Sequence, residues 1–138
     1  MIGMEKGHLA VMMEAGYIFL GMRRYKEAHE LFEGLEVLAP ESELPLVALG
    51  NVEFCTGKLS KAMRHYERAL KVVPNSAFAK VYLGEALFFD GKVERAKELL
   101  SEVAKVDRGG AGDFARALLD AIKKGIIAPL SEAKKGKN

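Results

Sequence analysis

The chain has 138 residues, a length that suits one domain, and its 49% hydrophobic and 29% charged residues supply both a core and a solvated surface. Its 21 basic against 19 acidic side chains do not imply a strongly basic nucleic-acid surface, and its single cysteine excludes an internal disulfide framework or a multi-cysteine zinc site. No apolar run approaches the ~18 residues of a membrane span; the nearest, Leu9 to Met22, is broken by Glu14. The expectation is a soluble, cytoplasmic chain.

Residues 1–8 show no periodic pattern and are expected to be loose. From Leu9 onward one spacing organises the sequence. Gly16, Gly50 and Gly84 recur every 34 residues, as do Ala28, Ala62 and Ala96. Large side chains recur in the same register at Tyr25, Leu59 and Val93, and again at Phe32, Tyr66 and Leu100. Pro40 and Pro74 close the first two units, and Gly109-Gly110 ends the third. Within each unit the apolar period is helical: Leu31, Leu35 and Leu38 lie on one face, as do Met63, Tyr66 and Leu70. The pattern predicts helix pairs over roughly 9–21 and 25–38, 44–56 and 59–72, and 77–89 and 93–106. Short breaks separate the partners at Gly21 with Arg23-Arg24, at Thr56-Gly57-Lys58 and at Asp90-Gly91-Lys92, where glycine suits the left-handed end of a helix. Ser42 and Asn75 or Ser76 are candidate N-caps.

A mid-helix glycine costs ~1 kcal/mol relative to alanine, so Gly16, Gly50 and Gly84 imply a close helix approach. Ala28, Ala62 and Ala96 are expected to face them at each crossing. After the third unit, Phe114, Ala117, Leu118, Ala121 and Ile122 form the apolar side of a further helix over 111–125, opened by Asp113, which would cap the last repeat. Residues 126–138 are expected to be a flexible tail, apolar at Ile126-Ile127 and rich in lysine (Lys134, Lys135, Lys137) after Pro129.

These residues resemble the tetratricopeptide repeat, a 34-residue helix–turn–helix unit. The second unit, 43–76, carries Leu46, Leu49-Gly50, Gly57, Ala62, Tyr66, Ala69 and Pro74 in that family's positions. The first, 9–42, keeps Gly16, Phe19, Tyr25, Ala28, Phe32 and Pro40 but has Leu35 where a small residue is usual. The third, 77–110, keeps Leu83-Gly84, Leu87, Gly91, Ala96 and Ala104 and lacks the proline. The resemblance implies an all-α fold: three tandem helix-turn-helix units and a capping helix in a right-handed superhelical solenoid.

Little in the sequence points to catalysis. His8, His29 and His65 share no ligand spacing, so no metal is expected, and Cys55 has no histidine beside it in its own repeat. Glu27, Glu30, Glu33 and Glu36 alternate with basic residues and read as solvated surface. No cofactor motif is present, and the chain is not expected to be an enzyme. The lysine-rich tail could give only non-specific, salt-sensitive attraction to nucleic acid.

In the family this chain resembles, the first helix of each unit lines a concave groove through its second, fifth, ninth, twelfth and thirteenth residues. Carried over, these are Ala10, Met13, Tyr17, Leu20 and Gly21; Leu44, Val47, Asn51, Phe54 and Cys55; and Phe78, Val81, Glu85, Phe88 and Phe89. Leu20 and Phe88 fit equally well as packing between the helices of a unit. The set is mostly large and apolar, as a partner surface would be. Relatives that clamp acidic C-termini use Lys, Asn and Arg, whereas the corresponding positions here hold Met13, Tyr17, Asn51, Phe78 and Tyr82, so only the Asn remains. The expected ligand is therefore an apolar or amphipathic helix or peptide. Small three-repeat proteins of this kind resemble the cytoplasmic chaperones of bacterial type III secretion needle and translocator subunits; an adaptor or scaffold subunit of a stable complex is the other reading. An empty apolar groove can also pair with a second copy, giving a homodimer. Charged substitution of Tyr17, Val47 or Phe89 is expected to remove partner binding without unfolding.

Overall fold

The 34-residue period is realised as helices throughout. The structure, a computed structural model, describes residues 5–130. In chain order it contains α1 (Lys6–Gly21), α2 (Tyr25–Leu38), α3 (Leu44–Cys55), α4 (Leu59–Val72), α5 (Ala77–Phe89), α6 (Val93–Val106) and α7 (Gly110–Lys123), with no strand among the described residues. Helix α1 begins at Lys6, so Lys6 to His8, expected to be loose, are helical. Of the tail expected to be flexible over 126–138, Ile127 packs against the core formed by α5, α6 and α7 and Pro129 is buried, while residues 1–4 and 131–138 lie outside the described residues. No helix among the described residues is long and apolar enough to cross a membrane.

The chain divides into two units, one ending at Pro74 and one starting at Asn75. In the first unit α1 packs on α2, α2 on α3, α3 on α4, and α1 also touches α3. Ala28, Phe32, Ala62, Tyr66 and Ala69 are fully buried there. Helix α3 is apolar on nearly every side and is buried from Pro45 to Glu53, the behaviour of a helix enclosed by its neighbours. In the second unit α5, α6 and α7 pack on one another. Val81, Leu100, Val103, Ala111, Ala115 and Leu118 form its core, so α7 covers the apolar edge of the third repeat.

The glycine column does accommodate a close approach, but to a different column from the one expected. A Cβ at Gly16 would fall within the Phe32 ring, one at Gly50 within the Tyr66 ring, and one at Gly84 would lie 2.8 Å from Leu100 Cδ2. The glycines therefore make room for the large side chain of the second helix rather than marking a Gly–Ala crossing. The alanines are buried, but at Gly84 the nearest atom of Ala96 is its carbonyl oxygen, 3.7 Å from the Cβ position.

Turn chemistry is shared between the units, with one substitution. Gly57 and Gly91 adopt φ of 79° and 91°, the left-handed region that glycine enters without steric cost. At the same register in the first repeat stands Arg23, with φ of 61°, so the break there turns on Arg23 rather than Gly21. Ser76 caps α5, its Oγ accepting from the Ala79 N–H at 3.2 Å. Ser42 Oγ accepts from Leu44 N–H, although Glu43 occupies the N-cap position of α3. Helix α7 is opened by Asp107 rather than Asp113: its Oδ2 accepts from the N–H groups of Gly109 (3.1 Å) and Gly112 (2.7 Å). Asp113, in the first turn, pairs with Arg116 instead.

Candidate functional site

The first helices of the repeats present their side chains by column, and burial sorts the columns. The second position is open: Ala10, Leu44 and Phe78 are all exposed, Phe78 at 46%. The fifth position is closed in every repeat. Met13 is buried, Val47 is 2% exposed and Val81 fully buried. For Val81 the cause is visible, since α7 brings Ala111, Ala115 and Leu118 against it. Val47 lies in the enclosed run of α3. Met13, Val47 and Val81 all leave the expected groove set as core residues, and a charge at Val47 would unfold rather than only block binding. The twelfth position is half-buried at Leu20 and Phe54 and closed at Phe88, whose ring meets Phe89 edge-on at 5.4 Å between centroids. At the thirteenth, Gly21 and Cys55 are exposed and Phe89 is half-buried.

The ninth position carries the polar chemistry. Tyr17 is 38% exposed, its ring tilted on Phe32 at 5.3 Å between centroids. Its hydroxyl accepts from Asn51 Nδ2 at 3.0 Å, and Asn51 Oδ1 in turn accepts from the buried Tyr66 hydroxyl at 2.6 Å. Asn51, the one residue kept from the carboxylate-clamping pattern, therefore has both ends of its amide engaged within the first unit. In the second unit the ninth position holds Glu85, half-buried, and burial pushes its carboxyl from 4.5 up to about 7. Burial, and then the Glu85 charge, raises the neighbouring Tyr82 hydroxyl above its ordinary 10. The Tyr82 ring also packs on Phe114 of α7 at 5.8 Å.

What remains reachable is an apolar and aromatic surface on each unit. In the first unit it comprises Tyr17, Leu44 and the partly open Leu20 and Phe54. In the second it comprises Phe78 and Phe89 with one acid, Glu85. A second apolar stripe, not anticipated from the sequence, runs along α1 through Val11, Ile18 and Met22, all more than half exposed. Its signal was the i, i+7, i+11 spacing of these residues within a helix apolar on most sides. No group of three or more His, Cys, Asp or Glu side chains able to hold a metal occurs among the described residues.

These features define a tetratricopeptide-repeat fold, and comparison with known proteins agrees. The tetratricopeptide-repeat family model matches residues 56–119. Among curated proteins no sequence matches the chain. Among solved structures, the fold is similar to the type III secretion translocator chaperone SycD of Yersinia enterocolitica, with 16% identity over 85% of this chain and 91% of that one and a TM-score of 0.72. It is also similar to PcrH in complex with the chaperone binding region of PopD, with 16% identity over 91% and 98% of the two chains and a TM-score of 0.70. The first repeat domain of Spaghetti (RPAP3), bound to an HSP90 peptide, aligns with 19% identity over 87% and 99% and a TM-score of 0.71. The chain thus has a tetratricopeptide-repeat fold, with the family model matching its residues 56–119, and shares that fold with SycD, PcrH and the Spaghetti domain.

Proposed function

We propose that this chain is a non-catalytic binding module that takes an apolar or amphipathic helix or peptide on the faces formed by the first helices of its repeats. Its role would be that of a small cytoplasmic chaperone for a type III secretion needle or translocator subunit. The observation that carries this reading is the exposure of Tyr17, Leu44 and Phe78, large apolar or aromatic side chains that the first helices leave open. Covering them with a cargo segment gains ~25 cal/mol per Å² of apolar area and hides that segment from self-assembly. Engagement of Asn51 by Tyr17 and Tyr66 argues against a carboxylate clamp and for hydrophobic burial. The likeness to SycD and PcrH supports the chaperone role.

A second reading, an adaptor in a stable complex, draws support from the α1 stripe of Val11, Ile18 and Met22, which a permanent partner would cover. Co-purification from native cells followed by mass spectrometry separates the two, using wild type, Phe78→Glu and Ile18→Glu. An export chaperone yields one small secreted protein, lost in Phe78→Glu and kept in Ile18→Glu. A scaffold yields large stoichiometric partners that survive Phe78→Glu and disappear in Ile18→Glu.

A further inference from the structure

The repeat register singles out one residue that fits poorly with its neighbours. The eleventh position of the first helix holds Phe19 in the first repeat and Leu87 in the third, but Glu53 in the second. Glu53 is 7% exposed, and its Oε2 is sealed from solvent with no hydrogen-bond partner. The other oxygen, Oε1, lies 3.4 Å from His29 Nε2, long for an N–H···O bond, while His29 Nδ1 stands 2.9 Å from Glu33 Oε1. A buried carboxylate this poorly satisfied opposes folding unless a further donor completes its hydrogen bonding. Glu53 also forms part of the wall of a cavity of about 350 Å³ in the first unit, whose rim carries Lys26, Lys58 and Lys61 beside Tyr25. No ion pair engages these three lysines among the described residues.

We infer that this cavity binds a small zwitterion of amino-acid size, with its ammonium on Glu53 and its anionic group on the lysine rim. The two ends of the site set the two ends of the ligand. A buried carboxylate is best completed by a positive charge carrying N–H donors, and three exposed lysines without an ion pair make a positive rim that suits an anion. The cavity lies at the small end of ligand pockets, too small for a helix and large enough for an amino acid. The terminal torsion of a glutamate has a broad energy profile, so either carboxylate oxygen can turn to the entering group. This site uses none of the residues assigned to peptide docking and does not rest on that reading.

The test is an NMR titration of the full chain, following backbone amides, with the free L-amino acids, their N-acetyl and carboxamide derivatives, and a nucleoside monophosphate. The expected result is saturable shifts confined to the neighbourhood of residues 25–29 and 52–61 with one or more free amino acids. Neither derivative should reproduce them, because each lacks one of the two charges. Glu53→Leu, which restores the side-chain type of the third repeat, should weaken binding by about tenfold or more while leaving the melting temperature unchanged or higher. Lys58→Ala with Lys61→Ala should also weaken binding. The proposal is overturned if no free amino acid gives saturable shifts, if only the nucleotide does, or if Glu53→Leu binds as wild type does. A fall in melting temperature for Glu53→Leu would equally overturn it, because Glu53 would then serve the fold through His29.

Discussion

In the first unit, Asn51 sits between two tyrosine hydroxyls, giving its N–H to Tyr17 and accepting from Tyr66. In the second unit the same register holds Glu85, and Leu100 stands where Tyr66 stood, offering no hydroxyl. The glycine beneath the large side chain is common to both: Gly50 receives the Tyr66 ring and Gly84 the Leu100 side chain. One packing solution thus supports two polar outcomes. A buried amide is held by a relay in the first unit, while burial drives a half-buried carboxyl up to about 7 in the second. Packing is set by the columns that every repeat shares; the local chemistry is set by those that vary.

Several substitutions break or sharpen that contrast. The largest effect is expected at Gly50→Leu, whose side chain would enter the space of the rigid Tyr66 ring; the loss, read by urea denaturation, is about 3 kcal/mol or more. Gly84→Ala would meet Leu100 Cδ2 and Cγ at 2.8 and 2.9 Å, a milder overlap than at Gly50, and should cost about 1–2 kcal/mol. Tyr66→Phe keeps the packing and removes the donor to Asn51 Oδ1, a loss of about 1–3 kcal/mol in the same assay.

In the second unit the corresponding test is pH. Glu85 holds its proton more tightly in the folded state than in the unfolded one, so the stability it contributes is complete below about pH 4.5 and is lost as pH rises through about 7. Thermal melts across that window should show the decline in wild type and a flatter profile in Glu85→Gln. The smallest effect belongs to the turns. Arg23 occupies the left-handed conformation that glycine holds at positions 57 and 91, so Arg23→Gly should stabilise by about 1 kcal/mol.

Much of the fold was legible in the sequence because the 34-residue period fixes helices and turns together: five of the seven helix starts fall where the pattern places them. Two details were not. Spacing alone does not tell which side chain of a partner helix lies over a glycine, and the large residue won over the alanine. Asp107 reaches the α7 N–H groups from outside the helix, a contact that a search for a capping residue at Asp113 overlooks. The binding face was legible only in part. The helical period puts Val47 and Val81 on the first-helix face, but whether a neighbour covers that face is a tertiary matter. For Val81 the answer came from α7. Asn51 has the composition of a ligand-binding residue, yet a tyrosine 15 residues along the chain engages it. Glu53 could have been found by reading its column, since an acid between Phe19 and Leu87 is visible without a structure.

The central claim, that the first-helix faces bind an apolar segment by burial, is tested most directly by calorimetric titration of a captured partner segment into wild-type protein and Phe78→Glu at several temperatures. The account predicts a negative heat-capacity change of binding for wild type and an affinity at least about tenfold weaker for the variant, with unchanged helical content. Equal affinities, or binding without a heat-capacity change, would contradict it.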